Sequence, residues 1–401
     1  MEPQAITGYG VVSAVGIGRE AFEAALGSGM PLAERLPSPI VSFDTAKYEA
    51  GSTEGGSGQP RYGNAKNLIT EVPDFDPTKY LGDKGLRSLD RLTKLMVVAT
   101  RMALHDSGLK QDNRHVATTA DRVGVCSSNA YGSLETITEL DRVAKLEDAR
   151  YINPAKFPNT VSNSASGYVS IWEDLRALNV AVSDGNCGGL DAFACADLYL
   201  ESDRADAFLV GGAEAMSEAL FLAFQRLEFI AKGARLAEAA AFFAFEGHDH
   251  AVARGARILA ETVGFGTAFR PPPSEHGLVH ASAEALAQAV RQALEDASLR
   301  PEDIDVVSAS HAGIPRFDQE EAAALASVLP ESVPIAGPKV LFGETLGAGG
   351  SMGVAAALAW FGGLTPAPIL RGPAPRTPLR HVLVTSLGFY GNASALILRA
   401  P

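Results

Sequence analysis

Apolar positions along the 401-residue chain follow strand and helix spacing in two consecutive series. In the first series we predict strands over 5–13, 122–126, 178–182, 207–214 and 236–245. Helices are predicted between them over 19–26, 88–104 and 129–140. The second series predicts helices over 281–297, 319–329 and 347–361 and strands over 304–309, 333–336, 381–386 and 393–398. Such alternation predicts an α/β protein with two βα-rich halves, 1–245 and 246–401, and buried, mostly parallel sheets.

One stretch stands out between the predicted strand 178–182 and a long apolar helix. It reads Ser-Asp-Gly-Asn-Cys-Gly-Gly from residue 183 to residue 189, which predicts a sharp elbow. Elbows of this kind hold catalytic nucleophiles, because the first turn of a buried helix presents unpaired N–H groups and the positive end of the helix dipole. The chemistry therefore depends on which residue occupies the elbow, and Asn186 and Cys187 are the candidates.

Composition excludes several classes of function. The chain carries 47 acidic and 34 basic residues, a net charge of −13, so it lacks the cationic surface that a nucleic acid or an anionic membrane requires. Three cysteines without metal-type spacing argue against a zinc site or a disulfide framework, and Cys126 is predicted to be a small core residue. Without a secretory signal or a transmembrane-length apolar run, we expect a cytoplasmic protein, with a flexible surface loop at 50–60.

Several motifs in a fixed order carry a family resemblance that covers most of the chain. Residues 6–13, 74–77, 89–93, the elbow and 386–392 resemble the β-ketoacyl synthases of the thiolase fold. The resemblance implies a thiolase-like fold in αβαβα layers. It also implies no cofactor or metal of the chain's own, since substrates arrive on the phosphopantetheine of an acyl carrier protein. Phe389 falls in a turn that resembles the family's oxyanion turn.

In active members, as the resemblance implies, a cysteine at the elbow takes the acyl chain and two histidines assist the decarboxylative condensation. The matching positions here hold Asn186, Ser310 and Glu344, with Cys187 and His311 each one place late. A neutral amide cannot be acylated as a thiolate is. A carboxylate would repel the developing enolate unless burial held it protonated. We therefore predict no independent activity.

A chain that keeps the family's scaffold but lacks the catalytic residue at all three positions resembles the chain-length factor. This is the non-catalytic subunit of type II polyketide synthases. The resemblance implies a heterodimer with a catalytic ketosynthase, transient contact with acyl carrier protein, and a polyketide tunnel along the subunit interface. The assembled complex would be an acyltransferase that makes an aromatic or polyene polyketide, as in antibiotic biosynthesis. The helix beginning near Gly132 would line the tunnel, with gating positions at Leu134, Ile137 and Asp141.

Three further points follow from the residues around these positions. The lysine that matches the family's, Lys339, is expected either to keep a role or to form an internal ion pair with Glu344 or Glu238. Two enzymatic readings also stay open. One is a malonyl carrier-protein decarboxylase that makes primer, for which an amide at the elbow is suited. The other is an active β-ketoacyl synthase that uses Cys187 and His311 in a shifted register.

Overall fold

The computed structural model describes residues 2–36, 38–48, 68–227, 234–274, 277, 279–311 and 313–401, so the predicted loop 50–60 lies outside the described residues. The strands are β1 Gln4–Ser13, β2 Gly16–Ile17, β3 Ile69–Thr70, β4 Lys110–Gln111, β5 Arg114–His115, β6 Val123–Ser128, β7 Asn179–Val182, β8 Ala207–Glu214, β9 Leu236–Ala237, β10 Ala239–Gly247, β11 Ala260–Phe269, β12 Val306–Ser308, β13 Ile335–Ala336, β14 Ile369–Arg371, β15 His381–Leu387 and β16 Asn392–Arg399. The helices are α1 Arg19–Ser28, α2 Thr78–Leu81, α3 Arg91–Asp106, α4 Leu134–Val143, α5 Ser164–Glu173, α6 Gly188–Glu201, α7 Glu218–Leu227, α8 His248–Ala253, α9 Ala283–Asp296, α10 Pro315–Val328, α11 Lys339–Phe342 and α12 Gly349–Phe361.

Most of the strands join one mixed sheet of 12 strands. Its order is β14-β13-β12-β15-β16-β11-β1-β10-β8-β6-β7, with β2 paired to β1. The two halves are joined where β1 pairs with β11, with Gln4 opposite Thr262 and Ile6 opposite Ala260. At the far end of the order, β7 is an edge strand that pairs with β6.

The prediction of mostly parallel sheets is wrong. Around β6 and β12 the pairs are parallel, but β1 pairs antiparallel with β10 and β11, β10 with β8, and β16 with both β11 and β15. The apolar runs that suggested parallel strands show only that both faces of a strand are buried. Antiparallel strands covered by helices on both faces carry the same signal.

Helices cover the sheet in layers, as the thiolase-like αβαβα fold requires. On one outer face α3 packs against β1 and β10 and is itself covered by α5, while on the other α9 packs against β11 and β16 beside α10. Helices α6 and α12 contact each other in the middle layer, where α6 packs on β6 and β8 and α12 on β10 and β15. The predicted fold class is therefore confirmed. None of the helices in the described ranges is long and apolar enough to cross a membrane.

The starts of α4 and α10 differ most from the predicted ones, for local reasons. Helix α4 begins at Leu134 rather than near residue 129, because Gly132 adopts a left-handed conformation with φ of 61°. Helix α10 begins at Pro315, four residues before the predicted start, because proline with its fixed φ is favoured in the first turn of a helix.

Candidate functional site

The predicted strand, elbow and helix are all present. β7 ends at Val182, a single 3₁₀ turn spans Gly185–Cys187, and α6 begins at Gly188. Gly185 has φ of 57°, which favours glycine. At Gly188 and Gly189 a Cβ would lie 2.2 Å from the Ser128 Oγ and 2.9 Å from the Ser351 Oγ, respectively. The elbow is therefore packed tightly against its neighbours, and only residues without a side chain fit there.

Asn186 occupies the position that the resemblance assigns to the nucleophile. Its side chain is buried, and its backbone carbonyl accepts a hydrogen bond of 2.7 Å from the Ser386 hydroxyl. Within the described residues its Oδ1 has no hydrogen-bond partner. The elbow thus presents a buried amide and no ionisable group at this position.

Cys187 is fully buried one place further along. Its thiol donates to the Ser386 carbonyl oxygen at 3.6 Å. Burial raises the pKa of Cys187 well above its ordinary value, and the nearby carboxyls of Asp191 and Asp184 raise it further. A thiol in this setting stays protonated and is a poor nucleophile. Cys187 therefore behaves here as a small residue of the core.

Lys339 and Glu344 form a buried ion pair. The Lys339 Nζ lies 2.8 Å from the Glu344 Oε2, and the two side chains are 3% and 0% exposed. The Glu344 Oε1 accepts a second hydrogen bond of 2.7 Å from the backbone N–H of Leu346. The predicted internal ion pair of Lys339 with Glu344 is therefore confirmed, and it places a fixed positive and a fixed negative charge side by side.

Glu238, the other predicted partner of Lys339, is engaged elsewhere. Its carboxylate is held by Arg91, with the Arg91 Nε 2.7 Å from the Glu238 Oε1 and Nη2 2.7 Å from Oε2. The same carboxylate accepts from the backbone N–H groups of Val72 and Met216. Glu238, the residue before β10, is therefore bound to Arg91, the first residue of α3. It is not the ion-pair partner of Lys339.

Ser310 lies beside this ion pair. Its hydroxyl accepts from the Lys339 Nζ at 3.4 Å, and its backbone N–H donates to the Glu321 Oε1 at 2.8 Å. Glu321 also accepts from the Thr385 hydroxyl at 2.6 Å, and burial raises the pKa of Glu321. His311 turns away to Asp318, with 3.6 Å between its Nδ1 and the Asp318 Oδ1.

The three positions matched to the family's catalytic residues come together at the middle of the molecule. The elbow turn Gly185–Cys187 packs against the turn Leu346–Ala348, which directly follows Glu344. Ser310 and Glu344 both contact Lys339. These three positions hold an amide, a hydroxyl and a paired carboxylate, and the last two contact the same lysine.

The turn that contains Phe389 is tied to the elbow. The Asn392 Nδ2 donates to the Asp184 carbonyl at 3.0 Å, and the Gly388 N–H donates to the Asn392 carbonyl at 2.8 Å. Phe389 is buried and packs edge to face on Phe317, with 5.0 Å between ring centroids. The structure places Phe389 close to the elbow, and its part in an oxyanion turn stays a prediction.

Glu214, at the end of β8, is a buried group at this site that sequence reasoning did not single out. It accepts hydrogen bonds from the backbone N–H groups of Ala130, Tyr131 and Gly347 at 2.8, 3.3 and 3.2 Å. Burial raises the pKa of Glu214 to about 7. The sequence signal for Glu214 is a single carboxylate at the end of an otherwise apolar strand. A carboxylate that is buried needs a hydrogen-bond or charge partner. Glu214 fixes the segment before α4 to the turn after Glu344.

The three predicted gating residues lie on α4 in different surroundings. Leu134 is half-buried, packs against the apolar core of the C-terminal half and lines a narrow cleft with Arg91 and Met216. Ile137 is 38% exposed, and Asp141 forms an exposed ion pair of 2.9 Å with Lys145. Ile137 and Asp141 do not line that cleft. The gating role of all three residues stays a prediction.

Comparison with known protein families agrees with this geometry. The N-terminal domain model of β-ketoacyl synthases matches residues 1–255, and the C-terminal domain model matches residues 259–363. The chain belongs to the β-ketoacyl synthase family. Within the described part of this synthase-family chain, no group of three or more histidine, cysteine, aspartate or glutamate residues could hold a metal ion.

Relatives within the β-ketoacyl synthase family include 3-oxoacyl-[acyl-carrier-protein] synthases and a putative polyketide beta-ketoacyl synthase. The 3-oxoacyl-[acyl-carrier-protein] synthase 2 of Coxiella burnetii is 29% identical over 374 residues, which cover 86% of this chain and 83% of the relative. A putative polyketide beta-ketoacyl synthase 2 of Streptomyces halstedii is 30% identical over 432 aligned positions, which cover 98% of this chain and 96% of the relative. The second match extends over nearly the full length of both chains.

Solved structures share the fold over the whole chain. A chain of the ishigamide ketosynthase/chain length factor superposes with a TM-score of 0.84 at 24% identity. The match covers 100% of this chain and 99% of that chain. A second match is a chain from the complex of a type II polyketide synthase acyl-carrier protein with its ketosynthase bound to the hexaketide. It superposes with a TM-score of 0.77 at 21% identity, and the match covers 100% of this chain and 99% of that chain. At these identities the likeness shows the β-ketoacyl synthase fold alone.

Proposed function

We propose that the chain is a non-catalytic chain-length factor, which pairs with a catalytic ketosynthase and shapes the tunnel in which a polyketide grows on acyl carrier protein. One observation carries the proposal. The position that matches the family's second histidine holds Glu344, whose carboxylate is fixed by Lys339 at 2.8 Å and by the N–H of Leu346. A paired carboxylate cannot stabilise a negatively charged enolate.

The nucleophile position supports the same conclusion. Asn186 cannot form a thioester, and the adjacent thiol of Cys187 is buried with a raised pKa. Moving Cys187 into the nucleophile position would require rotating the first turn of α6. The glycines that follow Cys187 pack closely against Ser128 and Ser351, which opposes that movement.

The surface supports a partner subunit. β7 pairs with β6 on one side, and an edge strand of this kind is a template for pairing with another chain. Helices α5 and α6 both contact β7, and each carries a large apolar side chain that is exposed, Ile171 and Leu198. Exposed apolar side chains beside an unpaired strand edge favour a protein interface there. The ishigamide ketosynthase/chain length factor combines, as its name says, a ketosynthase with a chain length factor, which is the kind of assembly proposed here.

The test is acylation of the co-expressed complex with a catalytic ketosynthase. After incubation with an acyl carrier protein thioester, intact-mass measurement should find an acyl adduct on the catalytic subunit and none on this chain. The catalytic subunit in the same sample is the positive control. A stoichiometric adduct on Cys187 would contradict the proposal and favour an active synthase in the shifted register.

A malonyl carrier-protein decarboxylase is the second candidate. The buried amide of Asn186, whose Oδ1 has no partner within the described residues, favours it. The paired Glu344 opposes it, because decarboxylation also produces an enolate. Release of CO₂ from malonyl carrier protein by this chain alone, abolished in Asn186→Ala and retained in Asp141→Ala, would establish this second function in place of the first.

A further inference from the structure

An open groove runs along one edge of strand β11, with residues of α6 on one side and residues of α9 on the other. Its volume is about 660 Å³, and residues 265–267 of β11 form its floor. In the order of the sheet, β11 is separated from the edge strand β7 by β1, β10, β8 and β6. The floor of the groove therefore lies five strands away from β7, so the site does not depend on the proposed function.

The floor of the groove is an unpaired strand edge. β1 pairs with β11 only where Gln4, Ala5 and Ile6 lie opposite residues 260–262. Pro3, which precedes this pairing, has no N–H group with which to continue it. From residue 264 to residue 269, within the described part of the chain, β11 pairs with β16 alone. This stretch of β11 is therefore open to a further strand.

The open edge of β11 presents acceptor oxygens to the groove. The N–H groups of Phe265 and Thr267 donate to side chains of α9, to the Asp296 Oδ2 at 2.9 Å and to the Gln292 Oε1 at 3.1 Å. Both N–H groups therefore point away from β16. Since the N–H and C=O groups of one residue in an antiparallel strand point to the same side, the carbonyl groups of Phe265 and Thr267 also face the groove.

The groove is strongly acidic. Each helix contributes two carboxylates, Asp197 and Glu201 on α6 and Glu295 and Asp296 on α9, and no lysine, arginine or histidine lines the groove. Asp197 is only 7% exposed, and its Oδ1 has no hydrogen-bond partner among the described residues. The Glu201 Oε1 accepts from the backbone N–H of Glu2 at 3.3 Å. Since a buried carboxylate oxygen without a donor is costly, the groove favours a cationic ligand that carries N–H groups.

We propose that this groove binds an extended basic segment of a partner protein, which adds to β11 as a further strand. The backbone N–H groups of the segment donate to the carbonyl oxygens of Phe265 and Thr267. Side chains of a strand alternate between the two faces of a sheet. Successive residues of the segment therefore face the two carboxylates on α6 and the two on α9 in turn. A run of consecutive lysines and arginines, roughly six residues long, fits both sides of the groove.

Fluorescence anisotropy of a labelled heptapeptide of alternating lysine and arginine tests the proposal. The peptide is titrated with the full-length chain, or with the co-purified complex if the chain is not soluble alone. We expect saturable binding of one peptide per chain, weakened at least ~tenfold between about 50 and about 300 mM salt. A heptapeptide of glutamates should not bind. Absence of saturable binding by the basic peptide would overturn the proposal.

Charge variants locate the peptide. Glu201→Gln combined with Glu295→Gln removes one carboxylate from each side of the groove, and we expect binding to weaken by ~tenfold. Glu139→Gln combined with Glu284→Gln removes the same charge from exposed positions elsewhere and should bind as the unmodified chain does. An equal loss in both double variants would show attraction to net charge alone and contradict a site. Asp197→Asn should also weaken binding; should it not fold, the double variants decide.

A modified peptide separates strand addition from charge attraction. The same heptapeptide with every backbone nitrogen methylated keeps its charges but cannot donate to the edge of β11, so its binding should be weaker by ~tenfold. Equal binding of the two peptides would overturn the added strand. Spermine, a small polyamine, should displace the peptide only at concentrations ~100-fold higher than the unlabelled peptide requires. Displacement by spermine at equal concentration would identify a polyamine site in place of a peptide site.

Discussion

The ammonium nitrogen of Lys339 lies 2.8 Å from a carboxylate oxygen of Glu344, at a place where both side chains are almost completely removed from water. A buried charge of either sign alone is costly, and the pair is tolerated because each neutralises the other. The pair therefore fixes two charges at the candidate site, as the proposed non-catalytic role requires.

Removing one member of this pair should destabilise the protein strongly. Glu344→Ala leaves a buried ammonium without a partner, and we expect a loss of ~3–5 kcal/mol in the free energy of unfolding. The double variant Lys339→Met with Glu344→Leu should lose much less. Urea denaturation followed by circular dichroism measures both. The exposed pair of Asp141 with Lys145 is the matched control, and Asp141→Ala should cost below ~1 kcal/mol. Equal losses for the single and double variants would show that packing, not charge, is the cause.

Glu214 should make stability depend on pH. Burial raises its pKa from an ordinary 4.5 to about 7, so the folded state holds a proton that the unfolded state has released. Stability should therefore fall as pH rises from 4.5 to 7, by ~3 kcal/mol at most, and then stay level.

The Glu214 contribution is isolated by comparison with Glu214→Gln, which keeps an acceptor oxygen but cannot ionise. Burial raises the pKa of Asp197 to about 6 and that of Asp191 to about 8. Both groups therefore also lower stability as pH rises, and they do so equally in the unmodified chain and in Glu214→Gln. Denaturation at pH 5 and pH 8 should show a smaller difference in the variant. The exposed Glu284→Gln serves as control and should keep the full slope. An unchanged slope in Glu214→Gln would show that Glu214 does not titrate in this range.

Partner binding should depend on the apolar surface beside β7. Ile171 on α5 is 75% exposed, so Ile171→Lys should leave the fold intact but place a charge in an interface that we expect to bury more than ~2,000 Å². Co-purification with a catalytic ketosynthase should fail. Val252→Lys, on α8 and 56% exposed, should purify as the unmodified complex does. A well-behaved monomer of the unmodified chain at micromolar concentration would contradict the requirement for a partner.

Leu134 distinguishes a tunnel wall from ordinary core. If its side chain lines the tunnel, Leu134→Ala in the reconstituted complex should enlarge the cavity and lengthen the product by roughly one two-carbon unit. A product of unchanged length, with ~2–5 kcal/mol less stability, would place Leu134 in dry core. Product mass and melting temperature are measured on the same sample, and Glu139→Gln, at an exposed position of the same helix, is the control.

The elbow and the internal ion pair were predictable from sequence because both are local. The glycines on either side of Asn186 and Cys187 define the turn, and Lys339 and Glu344 are separated by a single short turn. The direction of strand pairing was not predictable, since an apolar run records burial and not the orientation of its neighbour.

The pairing of β1 with β11 crosses the boundary between the regions matched by the two family models. Three residues at the start of the chain, Gln4 to Ile6, thereby form ladder hydrogen bonds with a strand that belongs to the other half. Severing the chain near residue 257 would leave each fragment with an unsatisfied row of backbone donors and acceptors. The pairing therefore couples the two halves through the backbone, and we expect neither fragment on its own to keep a fully paired sheet.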